Sequence, residues 1–213
     1  MNEVIPFYGA TDPELFEIER RCMDRDRVLI SYLDSRLSIG DVLDVGAGTG
    51  YTADILNTDG RHVIACEPSA GMVRGSVPVR WVRGTAQHLP LATNSVDAAY
   101  STWAFFFPQW IDCESGLDEL FRVVKSGGRI LIADNAGDDA FCALSERDLA
   151  SDRSWWEERG FSTTVVSSSY RFDSMDEAER LFEFYWSHNR RPAGSELSLE
   201  IGFDISVYER VSP

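Results

Sequence analysis

Apolar and polar positions change their period several times along this chain, and each change marks an element. Leu15, Ile18, Cys22, Leu29 and Leu33 recur at roughly helical spacing. Ahead of them, Thr11-Asp12-Pro13-Glu14 supplies a capping acid followed by proline at the first helical position. The spacing predicts one or two helices before Ser38-Ile39-Gly40. The period then shortens: Asp41-Val42-Leu43-Asp44-Val45 reads as a buried strand running into Gly46-Ala47-Gly48-Thr49-Gly50, and Tyr51 to Leu56, closed by Asp59-Gly60, reads as the next helix. His62-Val63-Ile64-Ala65-Cys66 is a second strand ending at Glu67-Pro68. Ser69 to Gly75 reads as a short helix, Val79 to Val82 as a third strand and Val96 to Tyr100 as a fourth. Leu117 to Val124 has helical spacing, and Lys125-Ser126-Gly127-Gly128 turns it into the strand Arg129 to Ala133. Strands alternating with helices in this way predict an α/β fold, a parallel sheet covered on both faces.

The last third is less regular. A helix is expected from Ser145 to Arg159, stopped by Gly160, then a strand near Thr163 to Ser169. Ser174-Met175-Asp176-Glu177 is a capping box that opens a helix through Trp186. After the loop Asn189 to Gly194, the alternation from Leu197 to Val211 predicts a closing strand or hairpin. With no repeat or low-complexity linker, residues 1–213 read as one domain: a helical cap over 1–38, a core over 40–135, and a C-terminal part over 136–213.

Charge narrows the partners. Thirty-five Asp and Glu against 20 Lys and Arg give a net charge of −15, which repels a phosphate backbone and anionic lipid. Nucleic acid and membrane are therefore not expected partners. Lys125 is the sole lysine, so arginine carries nearly all the positive charge. Cys22, Cys66, Cys113 and Cys142 lie too far apart for Cys-x-x-Cys motifs, and no His pair stands near them, so reduced, half-buried thiols and no metal site are expected. The acidic N-terminal stretch lacks the basic start and apolar run of a signal peptide, and no stretch approaches the ~20 apolar residues of a membrane span. A soluble, cytoplasmic protein, monomer or homodimer, is the expectation.

The strongest chemical signal is Asp44-Val45-Gly46-Ala47-Gly48-Thr49-Gly50 between a strand and a helix, where glycines let a ligand touch the backbone. A nucleoside is the expected ligand. A dinucleotide fingerprint needs Gly-x-Gly-x-x-Gly, whose third glycine would fall at Tyr51. No Tyr-x-x-x-Lys pair is present either, so a nicotinamide-linked oxidoreductase is disfavoured.

The tighter glycine spacing and the motifs after it resemble the class I S-adenosylmethionine-dependent methyltransferases, of the small-molecule type found in ubiquinone and menaquinone biosynthesis. The resemblance covers residues 40–135 best. It implies a Rossmann-like, doubly wound, mostly parallel seven-stranded sheet with helices on both faces and an antiparallel strand near the C-terminus. It further implies S-adenosyl-L-methionine as cofactor and S-adenosyl-L-homocysteine as product. Asp44 and Gly46, Ala47, Gly48, Thr49 and Gly50 would form the cofactor loop, with Asp44 holding loop amides or the methionine ammonium. Glu67, 17 residues past Gly50, stands where the family places the ribose-binding carboxylate, with Pro68 and Met72 beside the adenosine. Gly84, Thr85, Ala86 and Gln87 match the segment that meets the adenine, although many relatives carry an acid where Thr85 stands. Ser101 and Trp103 follow the fourth strand, and Tyr8 is the natural lid residue, able to cover the sulfonium face.

A sulfonium already carries a neutral leaving group, so the main task of such an enzyme is in-line alignment, and a general base is optional. His62, His88 and His188 therefore default to structural or solvated roles, and no catalytic residue is assigned. The segment after the fourth strand, Ser101 to Trp110, lacks the Asp/Asn-Pro-Pro-Tyr/Phe signature of base and glutamine methylation, and no Pro-Cys nucleophile pair of the cytosine-C5 type is present. Five aromatics stand between Trp103 and Trp110. Phe106 and Trp110 from this run, with Asp134 and Asn135 after the fifth strand, are the expected acceptor contacts. A small-molecule methyltransferase is thus the first expectation, and a methyltransferase-fold binding or regulatory protein without turnover is the alternative.

Overall fold

The structure, a computed structural model, describes residues 12–105, 112–146, 148–188, 194 and 196–213, with side chains at 186–188 left aside. Seven strands form one sheet: β1 (Gly40–Val45), β2 (Arg61–Cys66), β3 (Arg80–Val82), β4 (Val96–Thr102), β5 (Val124–Asn135), β6 (Ser162–Arg171) and β7 (Glu200–Val211). Their order is β3-β2-β1-β4-β5-β7-β6. β1 to β5 pair in parallel, while β7 runs antiparallel between β5 and β6. This is the Rossmann-like sheet the resemblance implied.

The central strands read as unbroken apolar runs because both faces are covered. On one face Val42, Val63, Tyr100, Leu131 and Val207 pack with Leu15 and Leu33, which come from α1 (Pro13–Cys22) and α2 (Val28–Arg36). On the other, Leu43, Ile64, Ala99, Ile132 and Tyr208 pack under Leu117 and Leu120 of α4 (Cys113–Val123) and Trp156 of α5 (Arg153–Glu158). Two further helices complete the layers: α3 (Tyr51–Leu56) follows the glycine turn, and α6 (Met175–His188) starts at Ser174, whose hydroxyl accepts the Glu177 N–H. All four cysteines are buried and free. Burial pushes the Cys22 thiol up to about 11 and those of Cys66 and Cys113 to about 12, so none is an ionised nucleophile at neutral pH.

Several expectations need correction. Ser69 to Gly75 forms turns, not a helix: Glu67 takes the Ser69 N–H, and Met72, wholly buried, closes one turn back to the Ser69 carbonyl. The helix expected from Ser145 to Arg159 is confined to α5. Upstream residues are instead tied to the end of β5, with Leu149 O accepting from the Asn135 amide and Ser151 N–H donating to Asn135 O; Asp152 then caps the helix at Trp155. The Lys125 to Gly128 turn is a bulge within β5, where Lys125 pairs with Asp97 at 2.6 Å. The C-terminal alternation is one strand, β7, not a hairpin.

Arginine's dominance over lysine has a structural use at Arg61. Its nearly buried guanidinium spans Ser38 O (3.1 Å), Asp34 Oδ1 (2.7 Å), Leu37 O (3.1 Å) and Leu56 O (3.3 Å), tying α2 and α3 to the start of β2. An ammonium has three donors and no planar fork to reach these acceptors together. Arg61→Lys is therefore expected to lower the unfolding free energy by about 1–3 kcal/mol. The same change at exposed Arg153 should stay within about 0.5 kcal/mol. Urea titration of the two variants checks the contrast.

Candidate functional site

The strand order reverses between β1 and β4, and in open α/β sheets a crevice for ligands forms at the carboxyl ends of the strands flanking such a point. The glycine turn sits there. Gly46 and Ala47 N–H both donate to Cys66 O (2.9 and 3.1 Å), which folds the turn across the end of β2. Gly46, Gly48 and Gly50 have φ of +76°, +55° and +83°. At Gly46 the need for glycine is double, because a Cβ there would also lie 2.3 Å from the Ala104 methyl in the loop after β4. Gly50 donates to Ala47 O at 2.8 Å and opens α3.

Two buried carboxylates bracket the turn. Glu67, 6% exposed just past β2, accepts Gly48 N–H on Oε2 (2.9 Å) and Ser69 N–H on Oε1 (2.8 Å). Burial raises its pKa, and these two N–H bonds oppose the rise. Each oxygen keeps a second lone pair, the acceptor pattern a vicinal diol requires. Asp44, 1% exposed, takes the Tyr100 hydroxyl on Oδ2 at 2.9 Å, while its Oδ1 has no hydrogen-bond partner among the described residues. Burial pushes its carboxyl up to about 7. The Tyr100 hydrogen bond and Arg20 hold it down, and Glu67 adds to the rise. A buried acceptor without a donor is a place for a ligand's cation or N–H.

The other expected cofactor residues among those described lie beside the turn or on the strands next to it. Pro68 leads from Glu67 into the turns that carry buried Met72; Gly48 and Met72 lie so that a Cβ on the glycine would be 3.7 Å from the Met72 methyl. Gly84 leads into a tight turn from Thr85 to His88, closed by His88 N–H on Thr85 O (3.0 Å), in which Gln87 donates to Asp112 O at 3.0 Å. Ala86 packs under α4 near Gly116, and Thr49 is buried within the glycine turn. Ser101 is wholly buried with its hydroxyl on Val45 O (2.8 Å), so it clamps β4 to β1.

Trp103 has φ +50°, a left-handed conformation in which a bulky residue is strained. It is held there by its N–H on Ala133 O (2.9 Å), its indole N–H on Asn135 Oδ1 (3.0 Å) and stacking on Phe203. Asn135 thus couples the loops after β4 and β5. Asp134, 1% exposed, faces the opposite side of the sheet from Asp44, among Cys113, Trp156 and Tyr208. Its Oδ1 accepts Asn135 N–H, and Oδ2 lacks a partner among the described residues. Tyr8, Phe106 and Trp110 lie outside the described residues.

Three residues absent from the expectations belong to this site: Tyr100, which holds Asp44, and Phe16 and Arg20 of α1. Phe16 lies 3.8 Å from where a Gly48 Cβ would stand. Arg20 sits 4.2 Å above the Tyr51 ring. The i, i+4 spacing of Phe16 and Arg20 puts them on one face of a helix, which is the only trace of this in the sequence. Among the described residues no group of three or more His, Cys, Asp or Glu could hold a metal ion, and no helix is long and apolar enough to cross a membrane.

A glycine turn at the switch point, with a carboxylate at the end of each of the first two strands, is an arrangement suited to holding a nucleoside in an α/β protein. Comparisons agree with this and narrow it. Residues 43–132 match the family model of a methyltransferase domain. The chain is 35% identical over 137 residues to a demethylmenaquinone methyltransferase of Paenarthrobacter aurescens, covering 62% of this chain and 52% of that protein. It is 39% identical over 95 residues to a malonyl-[acyl-carrier protein] O-methyltransferase of Dechloromonas aromatica, covering 43% of this chain and 35% of that protein. The chain thus spans about half the length, or less, of these curated relatives. Among solved structures, a SAM-dependent methyltransferase of Thermotoga maritima superposes with a TM-score of 0.61 at 20% identity, covering 95% of each chain. The YcgJ protein of Bacillus subtilis gives a TM-score of 0.58 at 17% identity, covering 86% of this chain and 97% of that one. The chain thus carries a methyltransferase domain match over residues 43–132 and resembles the class I S-adenosylmethionine-dependent methyltransferases in sequence and fold.

Proposed function

We propose that this protein binds S-adenosyl-L-methionine and transfers its methyl group to a small-molecule acceptor by in-line displacement. The observation that carries the reading is the pair of buried carboxylates around the glycine turn, each with acceptor capacity that no described residue uses. The donor set fits the cofactor. Glu67 would receive the ribose hydroxyls, Asp44 Oδ1 the amino-acid ammonium, and the turn's backbone would lie against the sugar and thioether. When bound, the cofactor supplies a methyl group on a cationic sulfur with a neutral leaving group. The chain's part is to hold that geometry: Ser101 fixes β4 against β1, and Trp103, braced by Asn135, shapes the loop beside the glycine turn.

Phe106, Trp110 and Asn135 are proposed to contact the acceptor, with Asp134 supporting the same loop. Tyr8 is proposed as the lid. The reading takes the cap, the core and the C-terminal part as one working unit, in the cytoplasm, as monomer or homodimer.

Titration calorimetry with S-adenosylhomocysteine tests the cofactor assignment. Glu67→Ala is expected to weaken binding by about 1–3 kcal/mol, the worth of charged hydrogen bonds. Unchanged affinity in that variant would sink the assignment. Turnover needs its own assay, in which labelled cofactor is incubated with an extract of the source organism and the methylated product identified. Intact binding beside a persistent blank would favour a binding or regulatory role.

A further inference from the structure

We infer that the outer edge of β6 is where two copies of this chain join, strand to strand, about a two-fold axis at Val165. This surface lies at the sheet edge beyond β5 and β7, away from the crevice between β1 and β4, so the inference stands apart from the methyltransferase reading.

The two edges of the sheet differ. β3 has three residues, follows Pro78 and carries exposed Arg80 with exposed Arg83 beside it, the short and charged kind of edge that discourages another strand. β6, at the other edge, has ten residues in unbroken register with β7, from Ser162 on Glu209 to Arg171 on Glu200. It holds no proline and no bulge, and the nine residues from Ser162 to Tyr170 carry no charge. Ser162, Thr164, Val165 and Ser167 are exposed, Val165 to 49%. None of the usual devices blunts this edge, and among the described residues no strand takes the backbone groups that alternate outward along it.

The open stretch has definite ends, and they select the occupant. Toward its C-terminus the outer edge is already taken, because Met23 bridges Tyr170 in antiparallel fashion and the Ser168 hydroxyl donates to Asp24 Oδ1 at 2.8 Å. Toward its N-terminus the strand begins at Ser162, after the chain turns out of α5 at Gly160, φ +78°. Residues 162–168 remain, and Val165 is their midpoint. A two-fold axis perpendicular to the sheet at that point pairs Val165 with its own copy, Thr164 with Val166, Thr163 with Ser167 and Ser162 with Ser168. Valines and hydroxyl side chains then meet one another, and no charge is buried.

That neutrality matters, since two copies of net charge −15 repel each other at long range. In the same register the Gly160 corner of each copy ends against the α1–α2 loop of the other, which carries Met23 to Arg27. Exposed Glu158 is thereby brought toward exposed Arg27, a cation with no ion pair among the described residues. A strand from an unrelated protein would need neither the symmetric window nor these matched ends.

So short a pairing makes an interface at the small end of the range, and the dimer is expected to have a Kd of about 1–100 µM. Sedimentation velocity over a range of protein concentrations, in about 0.3 M salt to screen the net repulsion, measures it. Val165→Lys and Val165→Asp each set like charges directly opposite on the axis, and each should weaken the dimer at least about tenfold. Mixed in equal amounts, the two variants should associate again with about the wild-type affinity, because only a pairing of position 165 with itself puts Lys against Asp.

A wild type that stays monomeric to about 0.5 mM overturns the proposal and leaves the edge to a strand of another protein. Single variants that dimerise as well as wild type overturn it too, and so does a mixture that stays monomeric. If the variants fail to fold by thermal melt, hydrogen exchange of wild type decides: amides within 162–168 should gain protection between about 1 µM and 0.5 mM protein, and exchange that ignores concentration there overturns the proposal.

Discussion

Affinity for S-adenosylhomocysteine is expected to fall about tenfold for each pH unit below about 7, and to level off above it. The cause is Asp44, whose carboxyl burial holds at about 7. A cationic ammonium on Oδ1 favours the ionised form, so below that value each binding event must first release a proton. The sign is that of a raised acid meeting a cation: affinity is full above the free-protein pKa and declines as the pH falls through it. Asp44→Asn can still accept the Tyr100 hydroxyl but carries no charge. It should bind about 10- to 150-fold more weakly at pH 7.5 and show a nearly flat profile from pH 5 to 7.5. Calorimetry across that range, in buffers of different ionisation enthalpy, also reads the released proton directly. A wild-type profile as flat as the variant's would remove Asp44 from the ammonium site.

Asp134 gives the second large effect, in stability rather than binding. Burial pushes its carboxyl up to about 7, opposed by Asn135 N–H and the nearby Ser151 hydroxyl, with no cation among the causes. Because the folded pKa lies above the unfolded value, the neutral acid stabilises the fold fully below about pH 4, and that contribution is lost as pH rises through about 7. Asp134→Asn keeps the shape without the charge. At pH 8 it is expected to exceed wild type in unfolding free energy by up to about 4 kcal/mol, the linkage limit for a three-unit shift, with the difference shrinking toward zero near pH 4. Urea titrations at the two pH values test it; equal differences at both would place the ionised carboxylate in contact with water or a cation.

The parallel core was legible because its physics is local. A strand covered on both faces reads as a continuous apolar run, and the chain turns at glycines that a side chain would obstruct, so β1 and the turn at Gly46 to Gly50 could be placed from spacing, while Glu67 was singled out by the family resemblance. Reading failed where tertiary bonds outcompete helical spacing. Ser69 is claimed by Glu67, and Leu149 to Ser151 are claimed by Asn135, so one apparent helix dissolves into turns and another is shortened to α5. The inward face of α1 was equally hidden, since Leu15, Ile18 and Cys22 announce a buried stripe but not that its flank, Phe16 and Arg20, meets the glycine turn. Tyr100 looked like one more apolar strand residue, and only the pairing of β1 with β4 shows its hydroxyl on Asp44.

The place of β7 also governs how the molecule comes together during synthesis. Arg129 of β5 pairs with Val211, and Ser162 of β6 with Glu209, so until residues 200–211 have been made β6 has no sheet neighbour and β5 has only β4. While the intervening stretch is translated, β5 holds the apolar run Ile130 to Ala133 beside an open edge, a template for pairing with other chains. The loop that carries Asn135 continues from that same strand, so the crevice can take its final shape only after the last strand has been inserted.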